Sequence, residues 1–568
     1  MGVNLIRASP LLLLPALIIT FVVVVPIGFL VLGVLWSTQP GRPGELTLSN
    51  LTGALSSREN VPLLVNSIVF SLGSTMLGLA FAASLAWVVH RTDTPGRRIL
   101  DLVPLLAFVF PSFLGDIAWT FLLSPRIGLI NLVIKQVFGL ENPLFNIYTL
   151  EGMIWSQALG VAPIAYLLIS GAFATMDPSL EEAARASGAS PRSTAIKITV
   201  PLLYPSLLAS GTLLFMIGMH SFETPVFIGL PGGIRVFMNR IYENIAVNIP
   251  PNYGLGTSLS VIFLVISALI MAFYIMTTRR LSRYVVVTGK GYRPRPMRLG
   301  RWKYLSLAFV VAYISIGIIL PLVTLSLVSL VPYYSVTRGN PFTNLTLQSY
   351  AELLSAPLML QGLFNSVTLS IVAAFVTTAA ASFLSYAALK ARLKGKRLFE
   401  LVGILPIVFP GIIFSLALLW TSLTLYRSIY GTIWILVIAY VVILLPYATR
   451  TISNSVLQIH NELEEVARVS GATWSSSFRR VMIPLLRPAL ANTFVQVFIH
   501  SYRQLGAAVL LVTPGTYLIP VLILTYWNAG LLPIVSAATL VYGGSIILIL
   551  IIGRALNTYM TKARKTER

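Results

Sequence analysis

Asp116, Glu223 and Arg503 are ionisable residues set in stretches that are otherwise apolar. A charge in such a stretch is costly, so each is read first as a candidate for function. A carboxylate pair such as Asp116 and Glu223, facing a water-filled cavity, could pass a hard cation, because such cations prefer oxygen ligands. Arg503 argues instead for an anionic or chelated cargo, and it is also a candidate partner for either acid. Gln504 adjoins it, and His220 and His500 stand beside Ser221 and Ser501 in similar surroundings. These six, Asp116, His220, Glu223, His500, Arg503 and Gln504, are the candidate pathway residues. The competing reading is that the acids are paired inside a helix bundle and the histidines hydrogen-bond from helix to helix.

Catalysis has little to work with. Cysteine is absent, and His90, His220, His460 and His500 are scattered without zinc-ligand spacing. No cluster of acid, base or metal ligands is visible, so neither catalytic nor metal-binding residues are expected.

The elements that must position these residues follow from composition. Hydrophobic residues make up 56% of the 568 and charged residues 10%, with a mean hydropathy of +0.84. A soluble domain carries about 25% charged residues, and disorder needs high charge with low hydrophobicity. What remains is a polytopic membrane protein. Residues 11–36 contain no charge and exceed the ~7–15 residues of a signal-peptide core, so they read as an uncleaved first span. Further apolar stretches run over 61–89, 99–123, 152–175, 202–228, 256–278, 304–330, 361–389, 399–424, 431–449, 488–511 and 531–553. The expectation is an all-α fold of about twelve transmembrane helices.

Placing the N-terminus in the cytoplasm and alternating puts 31 of the 40 Lys and Arg residues in cytoplasmic segments. That positive-inside bias accounts for the net charge of +22 without nucleic acid. The Arg-rich stretch 279–303 then reads as a topology anchor and linker, in preference to a specific anionic-lipid site. Phe70, Trp87, Trp119, Trp155, Trp420, Trp434 and Trp527 lie near span ends and fit aromatic belts.

The chain repeats itself. Glu182-Ala183-Ala184, Gly188 and Pro201 recur as Glu465-Val466-Ala467, Gly471 and Pro484, each 283 residues on. Asn66-Ser67 and Phe110-Pro111 recur as Asn365-Ser366 and Phe409-Pro410 at an offset of 299. The 16-residue difference fits a longer outer loop between Ser124 and Leu150 in the first half. The organisation is two tandem, parallel six-helix halves: 1–278, the linker 279–303, and 304–568. Each repeated motif, 176–201 and 455–487, reads as two short cytoplasmic helices with a bend. Asp177 and Asn461 suit N-caps, Pro178 a first helical position, and Thr473 a further cap. Gly188 and Gly471 suit left-handed helix ends. Small residues (Ala183, Ala184, Ala186, Ala467, Ser470) leave room for another surface to approach. An ordinary interfacial helix would explain one copy, but not the same spacing twice. Prolines within spans, such as Pro111, Pro163, Pro410 and Pro446, are candidates for bends.

At these residues the chain resembles the inner-membrane permeases of binding-protein-dependent ABC importers. Their signature is an EAA loop: Glu-Ala-Ala, three residues, Gly, nine residues, Ile-x-Leu-Pro. Val200 replaces the Leu of that pattern, and the second copy departs further at Val466, Val481 and Ile483. The resemblance implies a type I ABC importer permease fold in which each loop forms a coupling helix seated on a cytosolic ATPase subunit. It assigns ATPase coupling to Glu181, Glu182, Ala183, Ala184, Gly188, Pro201, Glu464, Glu465, Ala467, Gly471 and Pro484. It also implies an ATPase dimer as a separate partner, a periplasmic or lipid-anchored solute-binding protein, and membrane lipid around the spans. The chain has no phosphate loop of its own, so the resemblance puts ATP and magnesium on the partner and no cofactor on this chain. Fused halves suggest one such chain per transporter, in the cell inner membrane, with both termini cytoplasmic.

The stretches 221–231 and 118–131 resemble the ferric-iron branch, which makes ferric iron the expected solute. Thiamine, a phosphonate, a polyamine or another anionic or chelated solute are the alternatives. The competing classes are an ion-coupled secondary transporter, which needs midplane ionisable groups and no docking loops, and an integral-membrane enzyme.

Overall fold

A computed structural model describes residues 10–101, 110–176, 179–281, 297–334, 344–389, 396–460, 462–471 and 474–566. Among them the only β features are two isolated bridges, Trp36 with Leu46 and Thr92 with Met297. The rest is helix and connecting turn, as expected where hydrocarbon leaves each backbone N–H and C=O to be satisfied within its own segment. The first half supplies α1 (Pro10–Val34), α2 (Asn60–Arg91), α3 (Ser112–Leu123), α4 (Leu129–Phe138), α5 (Leu150–Thr175), α6 (Ser179–Ala186), α7 (Val200–His220) and α8 (Tyr253–Leu281). The second half supplies α9 (Trp302–Ile314), α10 (Leu320–Ser329), α11 (Pro357–Leu389), α12 (Lys396–Ile404), α13 (Gly411–Thr424) and α14 (Ile433–Leu457). It continues with α15 (Glu462–Val469), α16 (Ile483–Tyr502), α17 (Ile519–Asn528) and α18 (Leu532–Thr566).

Among the described residues, ten helices are long and apolar enough to cross a membrane, and an eleventh span is counted if one bent pair is joined. Two of the expected spans take other forms. Residues 399–424 are broken, Leu398–Val408 meeting Gly411–Thr424 at 109°. In the stretch 99–123 the twelve-residue α3 begins only at Ser112, and residues 102–109 lie outside the described part. Proline explains both. Pro111 and Pro410 sit just ahead of α3 and α13 with extended backbone, ψ 138° and 146°. A residue before proline is pushed out of helical geometry, and proline has no N–H to continue a helix. Pro163 and Pro446, by contrast, lie inside the continuous helices α5 and α14.

Packing divides the chain into two units. One comprises Met1–Ser57, Ile241–Leu264 and Leu354–Thr525; the other comprises Arg58–Arg240, Val265–Leu353 and Tyr526–Arg568. Each is built largely from one half of the sequence and takes in end segments of the other. In the first unit, α11 packs on α14 and α16, and α1 lies along α13. A Cβ at Gly33 of α1 would come within 2.6 Å of the Trp420 ring, so the missing side chain sets that approach. In the second unit, α2 packs on α5 and α7, and α10 lies against α3 and α18. Gly78 of α2 faces Val161 of α5, which a Cβ would meet at 2.9 Å.

Three of the expected belt aromatics are core residues instead. Phe70, Trp119 and Trp420 are buried in helix contacts, and Trp119 meets Trp155 edge-on at 5.5 Å. A position near a span end does not decide which face of the helix a ring occupies. Trp434, by contrast, is exposed.

Candidate functional site

The two repeated loops fold alike to the residue. In the first, α6 is followed by Gly188, the short helix Pro191–Thr194, a π turn over Ala195–Thr199, and α7. In the second, α15 is followed by Gly471, the short helix Trp474–Ser477, a π turn over Phe478–Met482, and α16. Each start lies 283 residues after its counterpart. Gly188 and Gly471 have φ of +83° and +81°, the left-handed geometry expected of them. The first cap closes through Ala189 N–H to Ala184 O at 3.0 Å, so a carbonyl of the last turn is satisfied. Asp177, Pro178, Asn461 and Thr473, proposed as helix-start residues, lie outside the described residues.

The π turns have a local cause. Pro201 and Pro484 occupy the second positions of α7 and α16. Each leaves the carbonyl four residues back without a donor and crowds it. The widened turn just upstream, in which Ile483 N–H reaches Phe478 O, relieves that crowding. The same arrangement precedes Pro321, where Leu320 N–H reaches Ser315 O.

Both short helices turn apolar residues to solvent. Leu180 is 50% exposed and its counterpart Leu463 is 46% exposed. Ala183, Ala186, Val466 and Val469 are exposed with them. Ala184 and Ala467 are half-buried, and so is Glu182. The side chains of Glu464 and Glu465 on α15 lie outside the described residues. Glu181 departs from the rest of the set. It is 5% exposed and faces into its own unit, where Thr199 Oγ1 donates to its Oε1 at 2.6 Å and Arg91 Nη1 stands 3.9 Å from Oε2. Nothing in the sequence marks Glu181 as the inward-facing acid of the pair, since its partners Arg91 and Thr199 lie 90 and 18 residues away.

The candidate pathway residues fall into the two packing units, three in each. Asp116, His220 and Glu223 belong to one; His500, Arg503 and Gln504 belong to the other. Asp116 is buried on α3. Its Oδ1 accepts from Ser156 Oγ at 2.6 Å, and Thr224 Oγ1 lies 2.9 Å from Oδ1 and 3.0 Å from Oδ2. Thr224 is also 2.9 Å from Gln157 Oε1, to which Ser221 donates at 3.0 Å. One hydroxyl proton serves one acceptor at a time, so Thr224 is shared between Asp116 and Gln157. Glu223 precedes Thr224 and is half-buried. Ser156, Gln157, Ser221 and Thr224 therefore complete a polar node of which the sequence singled out only Asp116.

His220 Nε2 is 2.7 Å from Ser267 Oγ on α8, a helix-to-helix contact. His500 stacks on Tyr447 with ring centres 5.3 Å apart. Arg503 caps the end of α16, its N–H bonded to Ile499 O at 3.2 Å. The backbone oxygen of Gln504 accepts from Tyr440 at 2.9 Å. Among the described residues no group of three or more His, Cys, Asp and Glu could hold a metal ion.

The Asn-Ser repeat also has a visible purpose. Ser67 Oγ accepts the N–H of Phe237, where a helix starts, at 3.1 Å, and Ser366 Oγ accepts that of Ile519, the first residue of α17, at 3.0 Å. The adjoining asparagines hold the approaching chain: Asn66 Nδ2 donates to Arg235 O, and Asn365 Nδ2 donates to Gly515 O and Tyr517 O.

Comparison with known proteins agrees with the duplication. Residues 74–283 and 385–565 each match the binding-protein-dependent transport system inner membrane component. The ferric transport system permease protein of Actinobacillus pleuropneumoniae is 28% identical over 469 residues, covering 80% of this chain and 65% of that protein. A protein described as a ferric transport system permease of Haemophilus influenzae is 28% identical over 470 residues, covering 80% and 71%. A protein described as a 2-aminoethylphosphonate transport system permease of Salmonella choleraesuis is 24% identical over 270 residues, covering 47% of this chain and 92% of that one. With ten apolar helices of spanning length among the described residues and two copies of the domain, the chain belongs to the family of inner-membrane components of binding-protein-dependent transport systems.

Proposed function

We propose that this chain is the permease of an ABC importer, with both halves in one polypeptide and ATP hydrolysis performed by a separate cytosolic ATPase pair. One observation carries the reading: two short helices of identical bounds, each presenting an apolar face to solvent and each closed by a left-handed glycine. A single exposed apolar residue would need no explanation, but the same exposed apolar positions recurring on both loop helices fit a docking surface. Glu182, Ala183, Ala184 and Gly188, with Glu465, Ala467 and Gly471, form the docking elements; Pro201 and Pro484 start the helices that carry the motion into the bundle. ATP and magnesium belong to the partner. Both termini lie in the cytoplasm, as the charge bias favours.

The solute is delivered by an extracytoplasmic binding protein. Ferric iron is the reading supported by the two ferric transport relatives, at 28% identity. The phosphonate relative keeps a second reading in play, and Arg503 suits an anionic or chelated form of either cargo. Thiamine and polyamines remain within the same architecture.

The test is reconstitution in nanodiscs with an ABC ATPase and a solute-binding protein from the same organism. Hydrolysis stimulated by loaded binding protein is expected, with radiolabelled ferric iron entering proteoliposomes and 2-aminoethylphosphonate excluded. Failure of the ATPase to bind would overturn the permease reading; uptake of the phosphonate alone would overturn the iron assignment.

A further inference from the structure

Glu181 adjoins Glu182 in sequence, yet its carboxylate turns away from the solvent-facing side of α6. It is 5% exposed and Arg91, which ends α2, is 4% exposed. Three pieces of chain meet at this carboxylate. Arg91 Nη1 lies 3.9 Å from Oε2 while its Nη2 donates to Met176 O at 3.1 Å, at the entrance to the loop. Thr199 Oγ1 donates to Oε1 at 2.6 Å from the π turn that leads into α7. The end of one span, the short helix and the start of the next span are thus held to one another.

One of the three positions changes chemistry in the second half. The residue 283 positions after Thr199 is Met482, which is buried and has no hydroxyl to donate. There Phe478, on the π turn, packs edge-on against Tyr386 at 5.0 Å and stacks with Phe383 at 5.6 Å, both on α11. A buried ion pair is seldom kept for net stability, since desolvation offsets most of the attraction, and breaking one side of it is severe. Such a pair is better suited to fixing geometry, because its donors and acceptor tolerate few alternatives.

We propose that Arg91, Glu181 and Thr199 form a clamp that fixes α6 to α2 and α7, so that force applied to the exposed face of α6 moves the spans instead of bending the loop. Glu181 is then a positioning residue, separate from the docking contact made by Glu182. The proposal rests on the coupling reading above.

The experiment uses the full transporter with its ATPase and binding protein in proteoliposomes and reads solute imported per ATP hydrolysed. Glu181→Gln keeps an acceptor for Thr199 but removes the charge. Its transport per ATP should fall about fivefold or more. Thr199→Val, a milder change, should lower the same ratio less, and Arg91→Lys should fall between them. Arg91→Gln combined with Glu181→Gln should recover part of the ratio lost in Glu181→Gln, since no uncompensated charge remains. A purely structural role would reduce the amount of assembled complex and leave the ratio of the assembled fraction unchanged. Wild-type ratios in Glu181→Gln and Thr199→Val complexes would overturn the clamp, and if Glu181→Gln does not assemble, Thr199→Val alone decides. Wild-type protein that never engages the ATPase would instead overturn the coupling reading.

Discussion

In the first half, Asp116 on α3 takes hydrogen bonds from Ser156 and Thr224; at the matching place in the second half, Ser415 on α13 donates to the carbonyl of Ala507. The positions correspond by the repeat offsets: Ser415 lies 299 residues after Asp116, while Ala439 and Ala507 lie 283 after Ser156 and Thr224. Where the carboxylate is present, two hydroxyls face it. Where the hydroxyls have become alanines, the acid has become a serine that needs only a backbone acceptor. Gln157 and Tyr440 show the same substitution of means: Gln157 takes the Ser221 hydroxyl, and Tyr440 gives its own to Gln504 O. A buried carboxylate is tolerated only with donors, so acid and hydroxyls form a matched set that changes as a whole. The loop elements of the two halves keep matching bounds, while the polar chemistry behind them has diverged.

Moving one member of the set alone should give the largest effect. Ser415→Asp would bury a carboxylate beside Ala439 and Ala507, costing about 3 kcal/mol or more. It should appear as little folded protein or a much lower thermal midpoint in detergent. A midpoint within about 2 °C of the parent would break the comparison. Next, Ser156→Ala with Thr224→Ala strands Asp116, with an expected loss of about 2–3 kcal/mol. Adding Asp116→Ser to that pair should restore most of it, leaving a deficit of about 1 kcal/mol. Strictly additive losses in this series would show that the three residues are independent. The smallest effect tests what the halves share: Gly188→Ala and Gly471→Ala should each cost about 1 kcal/mol through their positive φ, equally in both halves. Unequal costs would show that the loops differ in backbone strain as well as in side chains.

Much of this organisation was legible in the sequence, because it rests on local rules. A glycine closing a short helix acts within a few residues, and Gly188 and Gly471 stand where expected, whereas Pro201, expected to end the second short helix, lies in a helix that runs on through the π turn into the span, as does Pro484. The broken helix was half legible. Phe409-Pro410 stood out as a repeat of Phe110-Pro111, but an apolar run shows only that a segment can lie in lipid, not that it stays straight. What the sequence could not show is pairing across distance. Arg91 and Glu181 are 90 residues apart, and Thr224 is 108 residues from Asp116. Burial of Asp116 could be priced from its surroundings, yet the groups that offset that cost are ordinary hydroxyls with no pattern of their own. The inward turn of Trp119 and Trp420 was hidden for the same reason.

The π turns ahead of Pro201 and Pro484 have one more consequence. Each holds one residue beyond the ordinary helical count, and one residue corresponds to about 100° of rotation about a helix axis. Shortening either turn by a single residue would therefore swing every side chain of α7 or α16 around the axis relative to the loop below. Since both halves hold the same surplus at the same place in the repeat, each proline acts as a phase mark for the helix it opens, fixing which side chains that helix turns towards its own neighbours.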